Sequence, residues 1–189
     1  MTKTHVSQLE DFAPFTGEGM LKFDLACGAN KRENFTGVDI SSCEGVDIIA
    51  DLNQYPWSFA EESSVYELHC SHFIEHVFDI KSFMEECWRI LMPSGHITFF
   101  APYYTSIRAW QDFTHVRSIS EATFYYFNQD WLKANKLEHY GVKCNFAVEY
   151  TKYMFENQWV IRGDEAREWA RKHIPNSVLD IETQLKAIK

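Results

Sequence analysis

The chain alternates short apolar runs with turn-forming clusters, and the period of each run predicts its structure. "LKFDLA" (21–26), ended by Cys27-Gly28, "TGVDI" (36–40) and "VDIIAD" (46–51) each read as a short strand. "SVYELHC" (64–70) sets Val65 and Glu67 against Tyr66, Leu68 and Cys70, as a strand with two unlike faces does. Phe83, Met84, Cys87, Trp88 and Leu91 then fall on one broad helical stripe, and "MPSG" (92–95) stops it. "HITFFA" (96–101), closed by Pro102, is a buried strand. Strand, helix, turn and strand in about 40 residues make a βαβ unit, which lays strands parallel with helices on the faces of the sheet.

Further on, Ser118 to Asn135 reads as a helix with Ser120 as its N-cap. Residues 142–161 ("VKCNFAVEY" and "YMFENQWVI") are β-rich and predict a hairpin that completes the sheet. Asp164–Ile174 and Ser177–Ile188 read as helices separated by Pro175. The expected architecture is α/β: a doubly wound, mostly parallel sheet with a carboxyl-terminal antiparallel hairpin strand and helices on both faces. A chain of 189 residues fits one such domain. Within it, residues 1–20 form an arm, 21–101 a ligand-binding half and 102–189 the capping elements.

Composition narrows the partners. The apolar share of 46% is ordinary and the charged share of 24% too low for a disordered chain. Fifteen Phe, nine Tyr and six Trp imply a heavy core before they imply a ligand pocket. A net charge of −9 weighs against nucleic acid or an anionic membrane as partner, since both need clustered Lys and Arg. Five cysteines without a C-x-x-C pair indicate neither a zinc ribbon nor a disulfide frame. With no signal-peptide pattern and no run of eighteen apolar residues, a reduced, cytoplasmic protein is expected.

In sheets of this kind ligands bind at the carboxyl ends of the strands. Asp24, Asp39 and Asp51 each stand near such an end. A glycine after the first strand lets a ligand approach the backbone. A carboxylate after the second can accept both ribose hydroxyls, and one after the third an exocyclic amine. Three acids in register point to a nucleoside.

At these residues the chain resembles the class I S-adenosylmethionine-dependent methyltransferases, of the small-molecule type. "FDLACG" (23–28) is similar to the family's first motif, "GVDI" (37–40) to its ribose segment, and "IIADLNQYPW" (48–57) to its adenine segment. "ELHCSHFIEHV" (67–77) resembles its fourth strand and the segment after that strand. "CWRILMPSGHITFFAP" (87–102) resembles the R-x-L-x-P-x-G run into strand five. The resemblance implies S-adenosyl-L-methionine as cofactor, with Asp24, Ala26 and Gly28 along its methionine moiety. It places Asp39 with Ile40 at the ribose, Asp51 with Leu52 at the adenine, and Ser71 near the amino end. Ala26 and Asn30 stand where dinucleotide folds carry glycines. A cofactor without phosphates tolerates both, provided φ at Ala26 is negative; NAD does not. Only ten residues separate Gly28 from Asp39, against about 20 in dinucleotide folds, so a truncated turn rather than a crossover helix is expected at 29–36.

The acceptor side is less specific. His72-x-x-Glu75-His76 spells a metallopeptidase motif, but it comes directly after a strand, and the run S-H-x-x-E-H is common here in the resembled family. Glu75 and His76 are therefore expected to start a helix and pack, with no metal, while His72 stays a pocket candidate. The absence of an Asn/Asp-Pro-Pro-Tyr run at 70–74 weighs against a DNA-adenine or glutamine acceptor. "APYYTSIRAWQDFTHVRSISEATFYYF" (101–127) gathers Tyr103, Tyr104, Arg108, Trp110, Asp112, His115 and Arg117 where an acceptor should sit. Asp112 and His115 either form a carboxylate–imidazole base or brace the loop. The expected function is methyl transfer to an O or N nucleophile of a small molecule or glycan precursor. The alternative is a protein of this fold that binds cofactor or a partner without catalysis. The aromatic "TFYYF" segment or the 142–161 hairpin offers a face for a homodimer.

Overall fold

The computed structural model describes residues 19–189; the arm expected over residues 1–20 lies outside them except for its last two. The strands are β1 (Leu21–Leu25), β2 (Thr36–Asp39), β3 (Ile48–Ile49), β4 (Val65–Ser71), β5 (Leu91–Pro102), β6 (Phe146–Phe155) and β7 (Val178–Ala187). They form one sheet in the order β3-β2-β1-β4-β5-β7-β6. The first five run parallel, and β7 is antiparallel to both β5 and β6. Strand order reverses between β1 and β4. Their carboxyl ends, Leu25 and Ser71, therefore open onto the crevice where such sheets take ligands.

Between β4 and β5 lies the helix predicted from the stripe, α1 (Ile80–Ile90). Asp79 caps it, accepting from the Ser82 N–H at 3.0 Å and the Ser82 hydroxyl at 2.6 Å. Phe83, Met84, Cys87 and Ile90 are buried; Leu91 ends the helix and opens β5, and Trp88 turns outward to donate to the Ile188 carbonyl at 2.9 Å. Phe83 lies edge-on to Trp57 and Phe73, and Phe99 of β5 stacks on Phe124. Beneath α1, residues 52–63 supply Trp57 and Phe59, the latter against Phe23 of β1. One buried charge serves this packing. Glu86 accepts the Trp57 N–H at 2.6 Å and pairs with Arg89, whose guanidinium also reaches the Ala60 carbonyl at 3.1 Å.

The opposite face of the sheet is polar. Lys22 pairs with Glu67 at 2.8 Å, Asp24 with His69 at 2.7 Å, and Lys152 with Glu182 at 2.9 Å; Gln184 donates to Thr98 at 3.1 Å. Such cross-strand pairs stabilise a sheet face.

The carboxyl-terminal third departs from the pattern read in the sequence. Ser177–Ile188 is not a helix: residues 178–187 are β7, with Ile181, Thr183, Leu185 and Ala187 alternating inward. Residues 142–161 are not a self-contained hairpin either. They give one strand, β6, followed by a four-residue helix, and the hairpin partner of β6 is β7. Ser118–Asn135 splits into a 3-10 helix (Glu121–Phe127) and a short α-helix (Gln129–Ala134). Ser120 still begins the first, its N–H donating to the Thr123 hydroxyl at 3.1 Å. The helix Asp164–His173 forms as predicted.

Candidate active site

The hop from β1 to β2 contains no helix; residues 26–35 run as turns. Two carboxylates hold them. Asp24, buried at the end of β1, accepts the Arg32 N–H on one oxygen at 2.7 Å and meets His69 Nδ1 on the other at 2.7 Å. Asp39, at the end of β2, accepts the Gly28 N–H at 2.9 Å and the Ser41 N–H at 2.8 Å. Asp24 is thus a brace for the loop, with both oxygens engaged inside the protein. Asp39 also accepts one bond on each oxygen, but it is only half-buried.

The loop itself is left-handed at three residues, Ala26 with φ +55°, Gly28 with φ +50° and Asn34 with φ +64°. The condition of a negative φ at Ala26 is not met, so its methyl group sits in a region that costs L-residues free energy. A Cβ built on Gly28 meets nothing within 4 Å, so the backbone there is bare. Burial and the neighbouring Asp24 and Asp39 charges push the Cys27 thiol up to about 11, so it stays protonated at neutral pH.

Beyond β3, Asp51 accepts the Asn53 N–H at 2.9 Å and the Gln54 amide at 3.0 Å, an Asx turn that shapes one wall of a cavity. That cavity, of about 230 Å³, is lined by Ile49, Ala50, Asp51, Gln54, Trp57 and Phe59. Leu52 is buried beneath it and accepts the Trp57 indole N–H at 3.3 Å. Ile40 and Ile49 are 65% and 64% exposed, two apolar side chains in the open beside Asp39 and Asp51.

Across the crevice, Ser71 ends β4 and leads into His72, a non-glycine residue at φ +52° whose N–H donates to the Phe100 carbonyl at 2.7 Å. His72 opens a second cavity of about 230 Å³, lined also by Glu75, His76, Pro102, Arg108, Gln111, Asp112 and His115. The segment 103–120 folds back to close it, with the Val116 N–H donating to the Glu75 carbonyl at 3.0 Å. The side chains of Asp112 and His115 are not hydrogen-bonded, His115 Nε2 lying 3.9 Å from Asp112 Oδ2. Asp112 instead accepts from the Thr114 N–H at 2.9 Å and the Thr114 hydroxyl at 2.6 Å, while His115 Nδ1 sits 3.1 Å from the Ala109 carbonyl. The Glu75 carboxylate, 3.5 Å from His72 Nδ1, raises the pKa of that imidazole against the opposing effect of burial.

The other residues singled out in the sequence separate. Arg108 lines the second cavity and pairs with the buried Asp180. Tyr103, directly after β5, lines neither of the two cavities; it is buried, its hydroxyl 3.3 Å from Arg171. Tyr104 lines a neighbouring hollow with Ser118, Ser120 and Glu121. Trp110 is 66% exposed and donates to the Tyr104 carbonyl at 3.1 Å, outside the cavity. Arg117 is not free for an anion, since its guanidinium holds the Val77 and Phe78 carbonyls. Glu75 and His76, expected to start a helix and pack, do lie in a short helix (Ile74–His76) and also line the second cavity, while Gln111 and Asp180 were missed. The motif His72-x-x-Glu75-His76 was the signal for the first pair; nothing local marked the other two.

No family model and no curated protein matches the sequence. Solved structures match it over most of its length. An S-adenosylmethionine-dependent methyltransferase from Archaeoglobus fulgidus is 18% identical, with 89% of this chain and 86% of that one covered at a TM-score of 0.58. Another from Mesorhizobium loti is 16% identical over 89% and 91%, TM-score 0.54. The [4+2]-cyclase SpnF is 12% identical over 90% and 76%, TM-score 0.55. At these identities the likeness is one of fold.

Proposed function

We propose, for a chain that carries the fold of class I S-adenosylmethionine-dependent methyltransferases, that it transfers a methyl group from S-adenosyl-L-methionine to an O or N nucleophile of a small molecule or glycan precursor. The observation that carries the reading is the pairing of two cavities on either side of the switch point, one with Asp51 and exposed apolar Ile49, the other with imidazoles. The first fits the cofactor: the bare backbone at Gly28 admits close approach, Asp39 faces the ribose, and Ile40, Asp51 and Leu52 frame the adenine. Ala26 and Ser71 stand at the methionine end, with Asp24 acting through the loop it braces. When bound, the cofactor supplies a methyl carried on a cationic sulfur, already a good leaving group. The protein's own part is then alignment and proton removal. His72 and His115 are the two imidazoles placed to take the acceptor proton, with Arg108 and Gln111 beside them to orient it.

Calorimetry with S-adenosylmethionine and S-adenosylhomocysteine tests this first. Wild type should bind both, and Asp39→Ala should weaken binding at least about tenfold, or 1.4 kcal/mol. Absence of binding by the wild type overturns the reading. Against a panel of hydroxyl and amine acceptors, His72→Ala and His115→Ala should lower turnover by about 100-fold with cofactor affinity nearly kept. The neighbour named a cyclase favours one second reading, binding without methyl transfer, which predicts cofactor bound and never consumed.

A further inference from the structure

We propose that Glu75, His76 and His115 hold a divalent transition-metal cation at the floor of the acceptor cavity. Each offers one ligand atom, and the three atoms lie within 4.8 Å of one another. Glu75 is the telling residue. It is 1% exposed, and neither carboxylate oxygen has a hydrogen-bond partner. Two imidazole nitrogens stand beyond hydrogen-bonding geometry, His72 Nδ1 at 3.5 Å and His115 Nε2 at 4.0 Å. A buried carboxylate left in this way is costly, and a cation between it and the imidazoles removes the cost.

The hydrogen bonds around the two histidines select the tautomer a metal needs. His115 Nδ1 lies 3.1 Å from the Ala109 carbonyl, which can only accept; Nδ1 therefore carries the proton and Nε2 the lone pair. For His76 the selection runs through Thr114. Its hydroxyl donates to Asp112 at 2.6 Å, so its oxygen accepts from His76 Nδ1 at 3.0 Å and leaves Nε2 of that ring free. Both imidazoles are thus oriented as metal ligands usually are, with a backbone carbonyl behind one and a hydroxyl–carboxylate chain behind the other. Asp112 and Thr114 are positioning residues in this scheme.

Two imidazoles and one carboxylate suit zinc, iron, cobalt or manganese rather than magnesium or calcium. Ligand bonds of about 2.1 Å in a tetrahedral site put ligand atoms about 3.4 Å apart, so the 4.0 Å between His115 and Glu75 closes with small side-chain rotations. Three protein ligands leave a position open to the cavity, beside His72, Arg108 and Gln111. If the methyl-transfer reading holds, and only then, that position takes the acceptor's oxygen. The cation lowers the pKa of a bound hydroxyl, its proton passes to His72, and the acceptor is an alcohol or phenol rather than an amine.

The test uses the full chain, stripped with chelator, and Zn²⁺ or Co²⁺ alone. One equivalent should bind, with a rise in melting temperature. The Co²⁺ form should show visible d–d absorption without a thiolate charge-transfer band. His76→Ala and His115→Ala should each weaken binding about 100-fold or more, and Thr114→Val, which leaves every ligand in place, about tenfold. Should an alanine variant fail to fold, the wild-type Co²⁺ spectrum and Thr114→Val still decide. No saturable binding, a sulfur charge-transfer band, or affinity unchanged in these variants would overturn the site. Cofactor calorimetry on the stripped protein separates this outcome from failure of the methyl-transfer reading.

Discussion

Ala26 shows how one residue can record both constraint and tolerance. At φ +55° it occupies the left-handed region that glycine enters freely and alanine at a cost of about 1 kcal/mol. Ala26→Gly should therefore raise stability by roughly 0.5 kcal/mol once the extra freedom of the unfolded glycine is deducted, a gain measurable by urea unfolding. Gly37 is the opposite case. A Cβ there would lie 2.4 Å from the Gly45 carbonyl oxygen and 2.8 Å from Cys27 Sγ, because the loop after β2 folds onto its own strand. Asp47 locks that contact by accepting the Gly37 N–H at 2.7 Å. Gly37→Ala should cost about 2 kcal/mol or more, as overpacking against backbone does, and an unchanged urea midpoint would refute the contact. At this scale the sequence was partly legible. The acids at 24, 39 and 51 stood out by their register, yet which backbone N–H each accepts is set by the fold of the loop. Glu75 and His115 are 40 positions apart. Only the return of residues 103–120 over β4 brings them together.

Among the elements, α1 was the most readable, since its apolar stripe is local. Asp79→Ala should cost about 1 kcal/mol of stability, the ordinary value of an N-cap. Glu86 carries more than helix propensity. It is buried and receives the N–H of Trp57 from a distant loop, so Glu86→Ala should destabilise by about 2–3 kcal/mol through the unpaired N–H and the stranded Arg89. A double cycle with Arg89→Ala should show the two losses to be non-additive. β7 was misread for a physical reason. Its Leu, Gln, Lys and Ala residues favour helix, whereas its burial alternates with period two. The slot between β5 and β6 decided the matter, and propensity is a weak prior against it.

For the molecule as a whole, the βαβ unit foretold a parallel sheet correctly, while the strand order needed three dimensions. Its surface carboxylates also set its acid response. The Ser82 bonds lower the Asp79 pKa, Lys31 with the Gly37 N–H lowers that of Asp47, and Arg171 with Lys172 holds Glu168 at about 2. A carboxyl whose folded pKa is depressed contributes stability above its unfolded value and loses it as pH falls through the folded one. The melting temperature should therefore hold level above about pH 5 and decline from about pH 4 toward pH 2. Salt should blunt this decline, because these pairs are exposed.

The sheet order has a last consequence, for synthesis rather than for the finished protein. β6 has β7 as its sheet neighbour, and β7 also closes the exposed edge of β5. Until residues 178–187 emerge from the ribosome, two long strands wait with unpaired backbone groups, the condition under which edges recruit other chains. Nascent chains stalled before residue 178 should accordingly be the aggregation-prone ones, and those extended past residue 187 should not.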